Sequence, residues 1–245
     1  MTPTTDDAFE FYPCLVDGAP ASIYVNLKFD GAVPTAATTR YELAIALHTP
    51  GEFGIGEGEE VETLGAAETA VIARAAELDV LFVGRLRHRG IWELTFYGPA
   101  GHLAALEESL RAGIGDRRVQ LRAEVDAGWR YYNELLLPDA ERRRWMDDRR
   151  LVQILDEQGD SLRTPRRVDH HLSFPTAAAR DAFTTAAVVA GFTVERITSE
   201  APFIAEVWRT DPIELDHIHD VVMTLVDAAA LHGGTYDHWL AAIEG

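Results

Sequence analysis

The sequence predicts an α+β protein of two consecutive domains, and three observations carry that prediction. From residue 41 the hydrophobic pattern runs strand, helix, strand, strand, helix, strand. After Gly159-Asp160 the pattern strand, helix, strand, strand, helix begins again. Between them lie an aromatic segment and a proline-opened, heavily charged stretch, the natural place for a boundary. A β-α-β-β-α-β order is that of the ferredoxin-like sandwich. We therefore expect one such sandwich at residues 1–137, preceded by a β-hairpin, and a second of β-α-β-β-α type at residues 138–245, its linker helix at 138–158.

The hairpin comes first. Phe11–Val16 and Ile23–Leu27 are rich in β-branched and aromatic residues and flank Asp17-Gly18, a pair suited to a tight turn. Residues 30–39 read as a loop, and Tyr41, Leu43, Ile45 and Leu47 alternate as one face of a strand. Pro50 and the glycines at 51, 54, 56 and 58 form a mobile connection. Its glycines invite comparison with a phosphate cradle, but Glu52 and Glu57 would repel phosphate, and no Lys-Ser or Lys-Thr follows.

Glu59 and Glu60 suit the positive end of the next helix, Glu59–Leu78, whose stripe is Val61, Leu64, Val71, Ala75 and Leu78. Strands at Val80–Val83 and Ile91–Tyr97 enclose what reads as a basic turn, Arg85 to Gly90. A helix at Pro99–Arg111 and a strand at Val119–Val125 complete the first pattern. Pro138 then opens a helix to about Gln158, whose five arginines alternate with Asp139, Glu141, Asp147 and Asp148. That pattern fits a solvated helix with internal ion pairs.

The second pattern has a strand at Val168–Phe174 and an alanine-rich helix at Thr176–Ala190, capped by Thr176 and stopped by Gly191. Strands at Phe192–Ile197 and Phe203–Arg209 follow. The helix Ile213–Leu231 buries the stripe Ile218, Val221, Val222, Leu225 and Ala229. Beyond Gly233-Gly234, Tyr236 and Trp239 mark a tail that folds back, its aromatics either core plugs, as large aromatics usually are, or exposed anchors for a partner.

Charge narrows the function. The chain carries 22 basic and 40 acidic residues, net −18. Residues 1–137 hold 21 acidic against 11 basic, and residues 138–245 hold 19 against 11. Neither half suits a phosphate backbone, so direct nucleic-acid binding is not expected, whereas a basic protein partner is favoured. Cys14 is the single cysteine, which excludes an intramolecular disulfide and a CxxC zinc site. The run Met1–Asp7 lacks the basic and apolar regions of a leader, and no apolar run approaches the ~18 residues of a membrane span. A cytoplasmic location without membrane contact is the expectation.

No catalytic set emerges. Ser109, Ser161, Ser173 and Ser199 lie in no Gly-x-Ser-x-Gly turn. His170 and His171 are adjacent on a strand and point to opposite faces. His217 and His219 are two apart on a helix, and His219, between Asp216 and Asp220, reads as a surface histidine. No ligand spacing calls for a metal or another cofactor. One alternative is a metal or small-ligand enzyme built from His170, His232, Asp237 and His238. Another is a dimeric scaffold, a homo-oligomer paired through strand edges.

Gly159-Asp160, Arg166-Arg-Val-Asp-His170 leading to Phe174, Gly191-Phe192 and Gly233-Gly-x-Tyr-Asp237-x-Trp239 resemble the regulator of ribonuclease E activity B family over about residues 148–241. His238 stands where that family often has glycine. The resemblance implies a ferredoxin-like sandwich that binds a ribonuclease E-type enzyme and inhibits RNA processing without catalysis of its own. It directs attention to Asp160, Arg166, His170, Tyr236, Asp237 and Trp239, in segments 159–170 and 233–239, as interaction residues. The N-terminal half resembles the bacterial domain-of-unknown-function family 695 through Phe11-Tyr12, Asp17-Gly-x-Pro20, Asn26-Leu27, Gly84-Arg85, Phe96-Tyr97 and Asp126-x-x-Trp129-x-x-Tyr132. That family implies no activity.

Overall fold

The computed structural model describes residues 7–244; the polar run at residues 1–6, read above as lacking a leader, lies outside them. The chain divides into two compact units, the first ending at Arg142 and the second starting at Arg143. Each is built on one antiparallel sheet, of six strands in the first unit and four in the second. Among the described residues, no helix is long and apolar enough to cross a membrane.

The first unit contains β1 (Phe9–Val16), β2 (Ala19–Asn26), β3 (Thr39–Ala46), α1 (Glu59–Glu77), β4 (Leu81–His88), β5 (Ile91–Gly98), α2 (Leu103–Ile114) and β6 (Val119–Val125). Its strands lie in the order β1-β2-β4-β5-β3-β6, so the N-terminal hairpin extends the sheet beyond β4. Asp17 and Gly18 both take positive φ (49° and 73°) at the hairpin turn, a conformation glycine and aspartate tolerate best. Pro13, which lacks an N–H, sits on the edge strand β1, where it breaks no inner ladder.

α1 and α2 cover one face. Tyr41, Leu43 and Ile45 of β3 and Trp92, Leu94 and Phe96 of β5 meet Leu64, Val71, Leu106, Leu110 and Ile114 there. Two glutamates of α1 are also buried, against the simple stripe read from the sequence. Glu60 accepts the main-chain N–H groups of His48 (2.8 Å) and Thr49 (2.7 Å) and the Nε of Arg117 (3.1 Å). Glu68 accepts Nη1 of Arg85 and the indole N–H of Trp92 (3.0 Å).

The pairing of Arg85 with Glu68 corrects the basic turn. β4 continues through Arg85, Arg87 and His88, and only Arg89-Gly90 turns. Arg85 is drawn into the sheet because Glu68 neutralises it and the rings of Tyr24 and Trp92 flank its guanidinium.

On the opposite face the aromatic segment after β6 folds over the hairpin side. Its hydroxyl and indole groups find main-chain acceptors: Tyr132 donates to Asn26 O (2.6 Å), Trp129 to Ala37 O (2.7 Å), and Tyr12 to Leu136 O (2.9 Å). Gly84 lies beneath this cover.

The second unit takes most of α3 (Ala140–Glu157), then β7 (Arg166–Phe174), α4 (Ala177–Val189), β8 (Thr193–Ile197), β9 (Phe203–Asp211), α5 (Leu215–Ala230) and β10 (Thr235–Ala241). The sheet order is β10-β7-β9-β8. The tail is therefore a fourth strand, one more than the sequence pattern assigned. Thr176 caps α4 through its side chain, accepting Ala179 N–H, and Gly191 closes it at φ 87°. α3 is not wholly solvated: Met146, Asp148, Val152 and Leu155 are buried, while Arg142–Asp139 and Arg150–Asp147 pair on its surface.

A Cβ at Gly84 would stand 2.7 Å from the carbonyl oxygen of Tyr24 on the neighbouring strand. Gly84→Ala is expected to cost about 2 kcal/mol, the usual scale of overpacking. Chemical denaturation of the two proteins measures it.

Candidate functional site

Strand alternation decides which residues of the second unit face the helices and which face outward. Along β7, Arg166, Val168, His170, Leu172 and Phe174 point towards the helices and are buried, while Arg167, Asp169, His171 and Ser173 take the other face. Of the six residues singled out by sequence, Asp160, Arg166, His170, Tyr236 and Trp239 are each no more than 4% exposed. Asp237 alone is exposed.

The buried five form three polar locks. In the first, Asp160 Oδ2 accepts Arg166 Nη1 and the N–H of Glu244 (2.9 Å), and Oδ1 accepts the N–H of Leu162 (2.7 Å). Arg166 also reaches the carbonyls of Ala242 and Thr164. The pair thus pins the segment after β10 to the loop before β7. Chiefly through the Arg166 hydrogen bond, the Asp160 carboxyl is held down to about 2.

In the second lock, His170 at the middle of β7 shares a hydrogen bond between Nδ1 and the hydroxyl of Tyr236 (2.7 Å). Burial brings the imidazole down to about 4 and pushes the Tyr236 phenol up, so both are neutral at pH 7. In the third, Asp148 of α3 accepts the indole N–H of Trp239 (3.0 Å) on Oδ1 and pairs with His219 Nδ1 (2.8 Å) on Oδ2. His219 is thus a partly buried neighbour of Asp148, with a side chain 13% exposed, rather than a surface histidine.

Arg144 adds a cross-tie from α3, donating to the carbonyls of Tyr236 (2.9 Å) and Asp237 (3.1 Å). Asp148, His219 and Arg144 were not legible as partners of the tail. Their contacts span 71 to 93 residues, and a single charged helix gives no sign of them.

The second face of this sheet is chemically different. Arg167 lies 4.8 Å over the ring of Trp208 and pairs with Asp169 (2.6 Å) and Glu195 (3.1 Å). The rings of His171 and His238 stack at 4.5 Å, and His171 Nδ1 stands 3.6 Å from Glu206, which also binds Arg196. Asp237 accepts Ser173 Oγ (3.2 Å) at its border. The indole N–H of Trp208 has no partner among the described residues. Aromatic and imidazole rings with paired charges, on a face away from the helices, suit protein recognition.

The histidines do not converge as the metal alternative required. His170 faces the core, whereas His238 lies on the other face against His171. Among the described residues no group of three or more His, Cys, Asp or Glu side chains is arranged to hold a metal ion.

Comparison with known proteins places two family models on the chain. The model described as regulator of ribonuclease activity B matches residues 145–240, and that described as a family of unknown function, DUF695, matches residues 7–137. No curated protein matches. A solved structure described as an unknown protein from Galdieria sulphuraria is similar at 9% identity and a TM-score of 0.24, over 82% of this chain and 96% of that one.

Two groups of the locks, His170 and Asp160, each contribute a stage to the acid profile. His170, depressed from its ordinary 6.5 to about 4, contributes stability above pH ~6.5 that is lost as pH falls towards 4. Asp160, depressed to about 2, contributes stability present above pH ~4 and lost as pH falls through 2. His170→Gln should reduce the upper stage, to which the depressed His88 also contributes, and leave the lower one. Asp160→Asn should reduce the lower stage, which it shares with other depressed carboxylates such as Asp211, and cost about 3 kcal/mol at pH 7, because Arg166 is left buried without its counter-charge. Urea unfolding across pH 2–8 distinguishes them.

Proposed function

Because the chain belongs to the DUF695 family and its second unit matches regulator of ribonuclease activity B, we propose that it is a non-catalytic protein that binds and modulates a ribonuclease E-type enzyme. The match over residues 145–240 carries this reading. In it both units are ferredoxin-like sandwiches. Strand orders β6-β3-β5-β4 and β10-β7-β9-β8 around paired helices support that, with the hairpin as an addition to the first.

The buried locks have a structural role under this reading: they set β10 and therefore the face that the partner meets. Contact falls to Arg167, His171, Trp208, Asp237 and His238. The excess of 19 acidic over 11 basic residues in 138–245 suits a basic segment of the nuclease and disfavours RNA as the direct ligand. The cytoplasm is the compartment in which such a partner would be met.

The protein added to ribonuclease E is expected to be captured with the enzyme and to slow cleavage of a model RNA. Trp208→Ala is expected to weaken both effects by about tenfold or more, as loss of an aromatic anchor does. Its folding should stay unchanged by circular dichroism. Absence of capture together with an unchanged cleavage rate would rule the reading out.

A further inference from the structure

The first unit holds a polar recess that its hydrophobic core does not account for. It lies on the face of the six-stranded sheet away from α1 and α2. There the register lines up Tyr97, Arg40 and Glu124 in one row, Thr95, Glu42 and Arg122 in the next, and Glu93, Ala44 and Gln120 in the third. Ala44 leaves space, and Tyr131 and Leu135 from the segment after β6 wall one side. The recess has a volume of about 870 Å³ and adjoins a second of about 640 Å³ that shares Glu42 and Glu93. Both fall in the range of small-molecule sites.

Two charged side chains in it are more than nine-tenths buried, Arg40 at 3% and Glu93 at 8% exposure. Arg40 donates from Nε to Glu124 (3.1 Å) and from Nη2 to Glu42 (3.0 Å), and its guanidinium lies 4.0 Å over the ring of Tyr131. Its Nη1 has no hydrogen-bond partner among the described residues. Glu93 accepts the Tyr131 hydroxyl and that of Thr95, both on Oε1, which leaves Oε2 for a ligand. Burial pushes the Glu93 carboxyl above its usual range. An orphaned guanidinium donor and an under-used buried carboxyl are costly in a fold that could have placed apolar residues there. Such polarity in a concave site marks ligand recognition.

The two groups specify the ligand's chemistry. Arg40 Nη1 needs an acceptor. Glu93 Oε2 needs a donor, and a cationic donor would repay its ionisation. Carboxylates outnumber guanidinium groups five to three around the recess, so a net anion is repelled. We propose that this recess binds a free amino acid with a basic side chain, its carboxylate on Arg40, its α-ammonium on Glu93 and its side chain towards the acidic rim. The site belongs to the first unit and is independent of the ribonuclease reading.

Isothermal titration of the full chain with L-lysine tests it, with cadaverine (no carboxylate) and L-glutamate (net anionic) as comparisons. Saturable binding of L-lysine is expected, with cadaverine weaker by about tenfold for one lost charged hydrogen bond, and L-glutamate weaker because the acidic rim repels its side chain. Glu93→Gln keeps the size of the side chain and an acceptor for Tyr131, and should weaken L-lysine about tenfold while the circular dichroism stays unchanged. The rim variant Glu124→Gln should weaken it less. No saturable heat with L-lysine overturns the proposal on the wild-type protein alone. Cadaverine binding as well as L-lysine would overturn the assignment of Arg40, and Glu93→Gln binding as well as wild type that of Glu93.

Discussion

The pairing of β10 with β7 is the interaction on which the second unit depends. It brings Trp239 opposite His170 and carries Tyr236 and Trp239 into the core between sheet and helices. Large aromatics bring polar atoms with them, and each such atom needs a partner once water is excluded. His170 supplies one for Tyr236, Asp148 supplies one for Trp239, and Asp160 with Arg166 secures the chain as it leaves the strand. The motif residues are therefore spaced through the sequence by the demands of a single strand. They hold a surface in place, and the surface itself is made of their neighbours on the alternate positions.

The first unit solves a comparable problem with glutamate. Glu60 takes two main-chain donors at the end of β3 and an arginine from beyond α2, and Glu68 draws Arg85 and Trp92 onto α1. For Glu60, burial raises the carboxyl, but those donors outweigh it and leave the group below its usual range. Such a carboxylate is satisfied. Glu93 differs from it in kind, because its burial is not matched by comparable donors, and that contrast distinguishes a structural acid from one with capacity to spare.

Much of the architecture was legible because period two and period 3.6 leave different marks on the chain. Tyr41-Leu43-Ile45 and the stripe of α5 could be read directly. Arg85 and Arg87 hid the length of β4, since charged residues in a strand look like a turn until Glu68 is seen beside them. β10 was hidden for a related reason: Thr235, Asp237 and His238 interrupt its apolar pattern, and a bulge between Tyr236 and His238 breaks strict alternation. His219 seemed exposed because its aspartate neighbours on α5 were visible and Asp148, 71 residues away, was not. The family likeness named residues in segments 159–170 and 233–239 but could not separate those that are buried, such as His170 and Trp239, from those that face outward, such as Asp237.

The position of β10 also bears on how the protein is made. β7 leaves the ribosome about sixty residues ahead of its edge partner, yet its core face stays incomplete until residues 235–244 have emerged. The first sheet, by contrast, has all its strands by Val125 and its aromatic cover by Leu136. Synthesis would thus give a finished N-terminal half tethered to a nascent half whose core edge beside β7 is still open, the kind of interval in which chaperones engage a chain.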